Sequence, residues 1–591
     1  MMNDIGQKIS KIYQKARIFW VTLYFTMMTI FMTWPLVTRM KDAMVGELGD
    51  NIYFVWMIGW LQKALFKLQV NPMDIWFLNY PEGWNLAYTE ITPAQLFIAL
   101  PFSLVAGPTF GYNAALLISF LLSGLTMYIL IRRLTGNEAA ALIVGTAFAF
   151  IPYRFAHFRI GHLNLSGTQW FPLFFLAMFE ILSGVRKGES DKPIWKTALL
   201  GGISLGLIGL SSTYYMYMTA IVCAVLILVY VVFFDRKLIT RSRFWKQSLL
   251  LVAFALPLVL LSMAPYIQLS GQGGLPDRPL GSVRGYAASA SPTDYILPST
   301  EHFLFGSWVG EHFNRDLWIE TSLYVGMVTG LFGLWTLFKR KQFHYDKLIM
   351  ALFWTGLFSV VLSFGLDLFW NGERLILDAP LFLQKLIHRE QIPIPLPGIL
   401  MFKYFPFYAK LRAFARFGLF AVIFTLVAAG FGISKFLERF SGIKKIWVGL
   451  LILLFVVLDL YPGPYKSFAT VDWRPVDEWL ADQPADGALI QFPFVKGEDQ
   501  EQIYYTLIHE KAFVGGFFNA FPPAQYKSIF PIMEAFPDEN SIGMLPELGV
   551  KYILVDVDEY EDITQIKAIC EDFGLEYHDQ MEDQMIFFLE D

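Results

Sequence analysis

The feature that most constrains this chain is a series of apolar runs, each about 20 residues long, that alternate with short basic loops. A run of that length matches the hydrocarbon core of a bilayer, which is roughly 30 Å thick. The 591 residues are 55% hydrophobic and only 16% charged, with a mean hydropathy of +0.46. A soluble protein of this size does not need so much apolar surface. The sequence therefore predicts a mainly α-helical, polytopic membrane protein.

The basic residues predict an orientation in the membrane, because Lys and Arg concentrate in short cytoplasmic loops. Residues 1–17 form a basic lead that is predicted to be cytoplasmic. The same rule gives about eleven spans, or up to thirteen if residues 52–68 and 93–107 also cross rather than lie in the interface. The orientation downstream is the same either way. The predicted transmembrane domain covers 18–462, with outer loops at 38–111, 153–164, 268–318 and 366–416.

The composition changes after the last apolar run. Residues 463–591 are mixed and acidic, and they contain strand-like segments such as DGALIQFPF and VKYILVDVD next to helical patterns. We expect a C-terminal α/β domain, and by parity of the spans it is extracytoplasmic. The two cysteines, Cys223 and Cys570, fall in a predicted span and in this domain, and they have neither disulfide nor metal spacing.

Two carboxylates follow the first predicted span, in the sequence ELGDNIYFVWMIGW. Glu47 and Asp50 are three residues apart, so on a helical turn they would share a face. A carboxylate near lipid suits a general base for a hydroxyl group. The same pair could bind a divalent cation, Mg²⁺ or Mn²⁺, although two acids alone are a weak site. An ordinary solvated loop followed by an interfacial helix is the alternative interpretation.

A second outer loop is rich in cationic and polar side chains. The chain has eight histidines, and two of them lie in this segment together with two arginines. Such a group at the mouth of a span indicates recognition of a phosphate or a sugar, whereas interfacial snorkelling is the alternative. We take these residues as candidates for lining a substrate cavity: Arg154, His157, Arg159, His162 and Asn164.

The segment KYFPFYAKLRAFARF, residues 403–417, is the most basic outer stretch. Cations on the outer side run against the usual charge distribution, and an anion there would explain them. Arg is well shaped for phosphate oxygens, so Arg412, Arg416 and Lys403 are candidates for binding a donor phosphate. Contact with anionic lipid headgroups remains an alternative.

Several segments resemble the GT-C superfamily of integral-membrane glycosyltransferases, in particular relatives of the protein O-mannosyltransferases and aminoarabinose transferases. They are YPEGWNLAYTEITPAQLFIALPFSLVAGP, FAFIPYRFAHFRIGHLNLSGTQWFPLF, ASPTDYILPSTEHFLFG and LRAFARF. The resemblance implies that Asp50, with Glu47 as second choice, activates the acceptor and that Arg412 and Arg416 lie near the lipid phosphate. GELGD lacks the two adjacent acids or DxD of some relatives, so metal dependence stays open.

The resemblance implies a glycosyltransferase of the cell membrane that moves a hexose or pentose from a polyprenyl-phosphate donor. The acceptor would be a hydroxyl of a glycan, lipid or protein at the outer face, and a single displacement predicts inversion. The rival hypothesis is a flippase or non-catalytic assembly factor for lipid-linked saccharides. Few ionisable residues fall within the spans, which disfavours a coupled transporter. Soluble nucleic-acid or nucleotide functions have no support, because no phosphate-cradling glycine-rich motif is present and the predicted cytoplasmic loops are short, so we expect no nucleic-acid partner.

Overall fold

The computed structural model describes residues 2–183, 193–271, 277–282, 288–382, 384, 390–494, 500–517 and 522–589. Parts of the predicted outer loops 268–318 and 366–416 lie outside these ranges. Ten helices form the first half of the membrane domain: α1 (Met2–Met32), α2 (Asp50–Gln62), α3 (Pro93–Ala106), α4 (Pro108–Thr135), α5 (Glu138–Ala149), α6 (Pro152–Ile160), α7 (Phe171–Ser183), α8 (Ile194–Ser211), α9 (Thr213–Val229) and α10 (Ser242–Gly271).

The next helices along the described chain form the second half of the membrane domain. Its helices are α11 (Gly306–His312), α12 (Trp318–Thr321), α13 (Met327–Phe338), α14 (Asp346–Ser363), α15 (Gly398–Tyr404), α16 (Gly418–Leu437) and α17 (Gly442–Leu460). Within the described ranges, eight helices are long and apolar enough to cross a bilayer. The polytopic, mainly helical membrane fold is therefore confirmed, whereas the number of eleven spans stays a prediction.

Small residues let the membrane helices approach closely. A Cβ atom at Gly124 of α4 would lie 2.4 Å from Cδ1 of Phe25 in α1. A Cβ atom at Gly202 of α8 would lie 2.7 Å from the backbone oxygen of Leu251 in α10. Lipid provides no hydrophobic force between helices, so close van der Waals packing of this kind holds the bundle together.

The C-terminal domain is built on a five-stranded sheet. Its strands are β9 (Ala488–Phe492), β10 (Ala512–Phe513), β11 (Val550–Asp556), β12 (Glu576–Met581) and β13 (Gln584–Phe588). Their order in the sheet is β10-β9-β11-β13-β12. β10, β9 and β11 are parallel, and β13 and β12 are antiparallel to their neighbours. The helices around the sheet are α18 (Pro475–Asp482), α19 (Gln500–His509), α20 (Ala524–Met533), α21 (Glu539–Met544) and α22 (Ile563–Asp572). The predicted α/β domain is confirmed.

Short two-stranded ladders occur in the loops of the membrane domain. Their strands are β2 (Asp74–Ile75), β3 (Trp84–Asn85), β4 (Phe369–Trp370), β5 (Glu373–Arg374), β6 (Ile376–Asp378) and β7 (Gln391–Pro393). One further ladder joins the two domains, because β1 (Met44–Val45) pairs antiparallel with β8 (Phe468–Ala469).

Helix α2 is covered by the C-terminal domain. Its residues 51–60 are all buried, and Trp56 Nε1 donates a hydrogen bond of 3.1 Å to Thr506 Oγ1 in α19. Lys63 and Lys67 both pair with Glu510. A helix that is apolar on every side is suited to a core position. Helix α2 therefore lies between the two domains, and whether residues 52–68 cross the membrane or lie in its interface stays a prediction.

Candidate active site

Asp50 and His162 meet at the base of the C-terminal domain. Asp50 is the first residue of α2, and its Oδ2 lies 3.0 Å from Nε2 of His162. The other side of the His162 ring faces a second histidine, with 2.7 Å between Nδ1 of His162 and Nδ1 of His157. Both histidines are buried. The first and second predicted outer loops are thus joined through these three side chains.

A buried ion pair continues this group of side chains. Glu320 in α12 accepts hydrogen bonds from Arg416, 2.8 Å from Nε and 2.5 Å from Nη2. His157 Nε2 lies 3.8 Å from Glu320 Oε2. Asp50, His162, His157, Glu320 and Arg416 therefore form one chain of neighbours, which we call the polar relay. Its members come from four segments that are far apart in the sequence.

The backbone around Asp50 is held by its neighbours. Asn51 Oδ1 accepts from the Gly49 amide at 2.9 Å, and Asn51 Nδ2 donates to the Glu47 carbonyl at 2.9 Å. Gly161, which ends α6 with φ of +85°, packs directly on this turn, since a Cβ atom there would lie 2.6 Å from the Asn51 nitrogen. Only glycine fits both the left-handed backbone and the close approach. The step from Gly161 to His162 thereby places the imidazole beside Asp50.

A third acidic side chain, Glu90, lies at the edge of the site. Asn164 Nδ2 donates a hydrogen bond of 2.7 Å to Glu90 Oε2, and Ser212 Oγ donates one of 2.5 Å to Glu90 Oε1. Glu90 is half-buried. These contacts join the segment before α3, the second outer loop (153–164) and the start of α9.

The two arginines of the second outer loop, Arg154 and Arg159, have partners outside the polar relay. Arg154 is buried, stacks on Phe120 at 4.4 Å and donates to Ser119, Ser123 and Thr168. The Arg154 side chain is therefore held between α4 and the segment before α7. Arg159 pairs with Glu301 and lies 5.5 Å from the ring of Trp318.

The remaining predicted residues are not part of the polar relay. Glu47 is exposed, and it contributes its backbone carbonyl to the turn before α2. Arg412 and Lys403 are exposed as well, and only Arg416 of the three basic candidates is buried against Glu320. Their roles in phosphate binding stay predictions.

The charge state of Glu320 follows from its surroundings. Burial alone raises the pKa of its carboxyl group, but the charge and hydrogen bonds of Arg416 outweigh burial, so that the pKa lies well below its usual range. Glu320 is therefore a carboxylate and not a proton donor. The guanidinium of Arg416 has five N–H groups on three nitrogens. The Glu320 carboxylate accepts hydrogen bonds from two of these nitrogens, Nε and Nη2.

Three side chains of the polar relay have the chemistry of a metal site. Ligand atoms of His157, His162 and Glu320 all lie within 4.8 Å of one another. His157 Nε2 is buried and has no hydrogen-bond partner among the described residues. Two imidazoles and a carboxylate suit Zn²⁺ or Mn²⁺, so the donor set fits a divalent cation. Neither Asp50 nor Glu47, the pair that the sequence offered as a weak cation site, belongs to this set.

Glu320 and Glu90 were not chosen from the sequence. Glu320 stands at the start of an apolar run, in WIET, and an ionisable residue at such a position is a signal for function. Glu90 lies in YTEITP, where its neighbours give no such signal. Their partners come from distant segments, so only the three-dimensional fold brings them to the site.

Comparison with known proteins supports this architecture. A family described as "Domain of unknown function (DUF6311)" matches residues 26–460, which is most of the chain. The chain belongs to this family. The DUF6311 match ends at the last residue of α17, so it covers the membrane domain and leaves out the C-terminal sheet. No curated protein sequence matches the chain significantly.

Solved structures resemble this DUF6311 chain along most of its length. The oligosaccharyltransferase of Archaeoglobus fulgidus in the apo form is 12% identical with a TM-score of 0.54, over 92% of this chain and 70% of that chain. The arabinofuranosyltransferase AftD from Mycobacteria is 12% identical with a TM-score of 0.53, over 97% of this chain and 41% of that chain. ArnT from Cupriavidus metallidurans is 10% identical with a TM-score of 0.45, over 98% of both chains. The DUF6311 chain has a GT-C-like fold.

Proposed function

We propose that the protein transfers a sugar from a polyprenyl-phosphate-linked donor to an acceptor hydroxyl at the outer face of the cell membrane. The observation that carries this proposal is the polar relay, which has the carboxylate of Asp50 at one end and the guanidinium of Arg416 at the other. A general base and a phosphate-binding cation are the two groups that such a transfer needs.

The reaction would proceed by one displacement. The acceptor oxygen forms a bond to the anomeric carbon while the bond from that carbon to the phosphate oxygen breaks, which inverts the configuration. Asp50 accepts the proton of the hydroxyl, and His162 at 3.0 Å orients its carboxylate. Polyprenyl phosphate leaves with the negative charge, which Arg416 stabilises, with Arg412 and Lys403 as further cations toward the lipid.

Glu320 holds Arg416 in place for this role. A buried arginine without a counter-ion is costly, so the ion pair keeps the cation inside the protein until a phosphate arrives. The aromatic ring of Tyr214 lies 5.1 Å from the same guanidinium and restricts its position further.

A divalent metal ion would be held by His157, His162 and Glu320, with Asp50 adjacent. When bound, it would supply positive charge for stabilising the phosphate oxygens. In this proposal Asp50 accepts the proton, His162 orients the carboxylate of Asp50, and Arg416 binds the phosphate of the donor.

The predicted sidedness fits this function. Asp50, His162 and Arg416 come from loops that the basic-residue rule assigns to the outside, and Glu320 directly follows one of them. We therefore propose that the C-terminal domain is extracytoplasmic and that the donor enters from the lipid. The fold, shared with an oligosaccharyltransferase and an arabinofuranosyltransferase, supports sugar transfer as the class of reaction.

Sugar transfer by purified protein in nanodiscs tests the proposal. Radiolabelled polyprenyl-phosphate hexoses and pentoses are supplied with and without Mn²⁺ or Mg²⁺, and released lipid phosphate is measured. We expect turnover with at least one donor and its loss in Asp50→Asn. Binding of a lipid-linked sugar without any turnover would instead favour the flippase or assembly function.

A further inference from the structure

A cavity of about 550 Å³ lies between the membrane domain and the C-terminal domain. One wall is the turn before α2 and the start of that helix, with Leu48, Gly49 and Ile52, and Gly49 directly precedes Asp50. A volume of this size falls in the range of small-molecule sites, which is about 300–1,000 Å³. The cavity therefore adjoins the segment that carries the proposed base.

The opposite wall is formed where two parallel strands end. Pro493 and Phe494 directly follow β9, and Asp556 is the last residue of β11, the neighbour of β9 in the sheet. In open sheets with parallel strands, ligands bind in the crevice at the carboxyl ends of the strands. The C-terminal domain thus presents the usual binding edge of its sheet toward Gly49.

The polar groups of the lining are carboxylates and carboxamides. Glu501, Asp556 and Glu559 are the acids, Gln500 and Gln502 stand beside Glu501, and the described lining includes no Lys or Arg. Groups of these types bind sugar hydroxyls, since carboxylates accept and amides both donate and accept. The carboxylates disfavour phosphorylated or acidic ligands by like-charge repulsion.

Aromatic rings complete the lining. Phe494 and Tyr526 are stacked with 5.2 Å between their centroids, and Phe513 lies nearby on the same wall. Rings beside polar groups fit the two faces of a pyranose or furanose, one apolar and one rich in hydroxyls. A peptide bound through its main chain would require a free sheet edge, whereas this wall is made by strand ends.

We infer that this cavity binds the acceptor and that the acceptor is a neutral or amino-substituted saccharide. That the ligand is the acceptor of the reaction rests on the proposed function, whereas its identity as a saccharide rests on the lining of the cavity alone. A glycan in the cavity would present its terminal hydroxyl near the turn that carries Asp50.

Saccharide binding without donor tests the inference separately from catalysis. Full-length protein in nanodiscs is applied to an array of neutral oligosaccharides of two to four sugars, amino sugars, phosphorylated sugars and unmodified peptides. We expect binding to a neutral or amino sugar, weakened about tenfold or more in Glu501→Gln/Glu559→Gln, because hydrogen bonds to charged groups are lost. Gln500→Ala serves as a second cavity variant, and Glu571→Gln, an exposed acid on α22, is the matched control.

The outcomes separate the two proposals. No binding to any saccharide, preference for peptides or phosphorylated sugars, or equal binding by wild-type and cavity variants would overturn the inference. Donor turnover in the wild-type protein is scored independently. Saccharide binding that the cavity variants weaken would therefore support the cavity even if every donor failed, and donor turnover without such binding would retain the enzyme and reject the cavity.

Discussion

Glu320 accepts two hydrogen bonds from Arg416, 96 residues further along the chain, at 2.8 Å from Nε and 2.5 Å from Nη2. The arginine side chain is only 3% exposed and the glutamate 14%. Two charges so deeply buried depend on each other, because either one alone would remain without solvent or counter-ion. The pair therefore determines both the stability of the site and the position of its cation.

Removing both members of this pair should cost less stability than the two single removals added together. We expect Glu320→Gln or Arg416→Gln to lower the free energy of unfolding by about 3–5 kcal/mol, the range for breaking a buried ion pair. The double variant should lose clearly less than the sum of the two. A double-mutant cycle measured by chemical unfolding in nanodiscs checks this, and strictly additive losses would mean that the pair is not coupled.

Asp50 should be required for turnover while a neighbouring acid is not. Asp50→Asn keeps the size of the side chain but cannot accept a proton, so we expect the rate to fall by about 10²–10⁴-fold. Asp42 lies in the same loop, is exposed and pairs with Arg39. Asp42→Asn is therefore the matched control, and it should retain the wild-type rate in the lipid-phosphate release assay. Normal turnover in Asp50→Asn would remove this residue from the mechanism.

The glycine between the two histidines should be required for the position of Asp50. Gly161→Ala introduces a Cβ atom 2.4 Å from Cβ of Asn51 and 2.6 Å from its nitrogen, which must move α2. Gly136 also has a positive φ, of +71°, but nothing lies within 4 Å of a Cβ atom there. Both alanine variants should lose about 1–2 kcal/mol of stability from the left-handed backbone. Only Gly161→Ala should lose turnover, and equal rates for the two variants would contradict the positioning role.

The C-terminal domain should become less stable as the pH falls below neutrality. Burial, with the charges of Arg474, Lys511 and Lys63, lowers the pKa of His509 to about 3. The unfolded chain binds a proton on this imidazole below about pH 6.5 and the folded domain does not, so stability is present above pH 6.5 and is lost between there and about pH 3.

The slope should approach 1.4 kcal/mol per pH unit for this one group. Hydrogen exchange in β9 and β11, corrected for the intrinsic effect of pH, measures it at pH 7 and pH 5. His509→Gln should flatten the slope, whereas His578→Gln, an exposed histidine in β12, is the control. An unchanged slope in His509→Gln would show that other groups cause the acid sensitivity.

Metal removal tests the role of the two histidines. We expect purified protein to carry up to one equivalent of a divalent ion, measured by elemental analysis, and a chelator to remove it together with most of the turnover. His157→Ala should lower the bound metal as well, because its Nε2 is the buried nitrogen without a hydrogen-bond partner in the described part of the chain. Full activity after complete removal of metal would contradict a metal requirement. The histidines would then serve to orient the carboxylate of Asp50.

The sequence predicted much of this fold because apolar length and basic loops report directly on the bilayer. It also brought Asp50, His162 and Arg416 forward as candidates, which the structure connects in one polar relay. Glu320 was missed because its importance depends on a partner 96 residues away. The sequence also did not show that the C-terminal domain covers helix α2, because an apolar surface looks the same in sequence whether lipid or another domain covers it.

The ladder between β1 and β8 has a consequence for how the protein matures. Met44 pairs with Ala469, so the loop that holds Asp50 has its strand partner beyond the last membrane helix. A ribosome makes these segments in that order, and the loop must wait for nearly the whole membrane domain to be synthesised. The growing chain therefore cannot complete the turn that carries Asp50 early, and a nascent or truncated protein would keep this loop without its strand partner until the segment after the last membrane helix has been made.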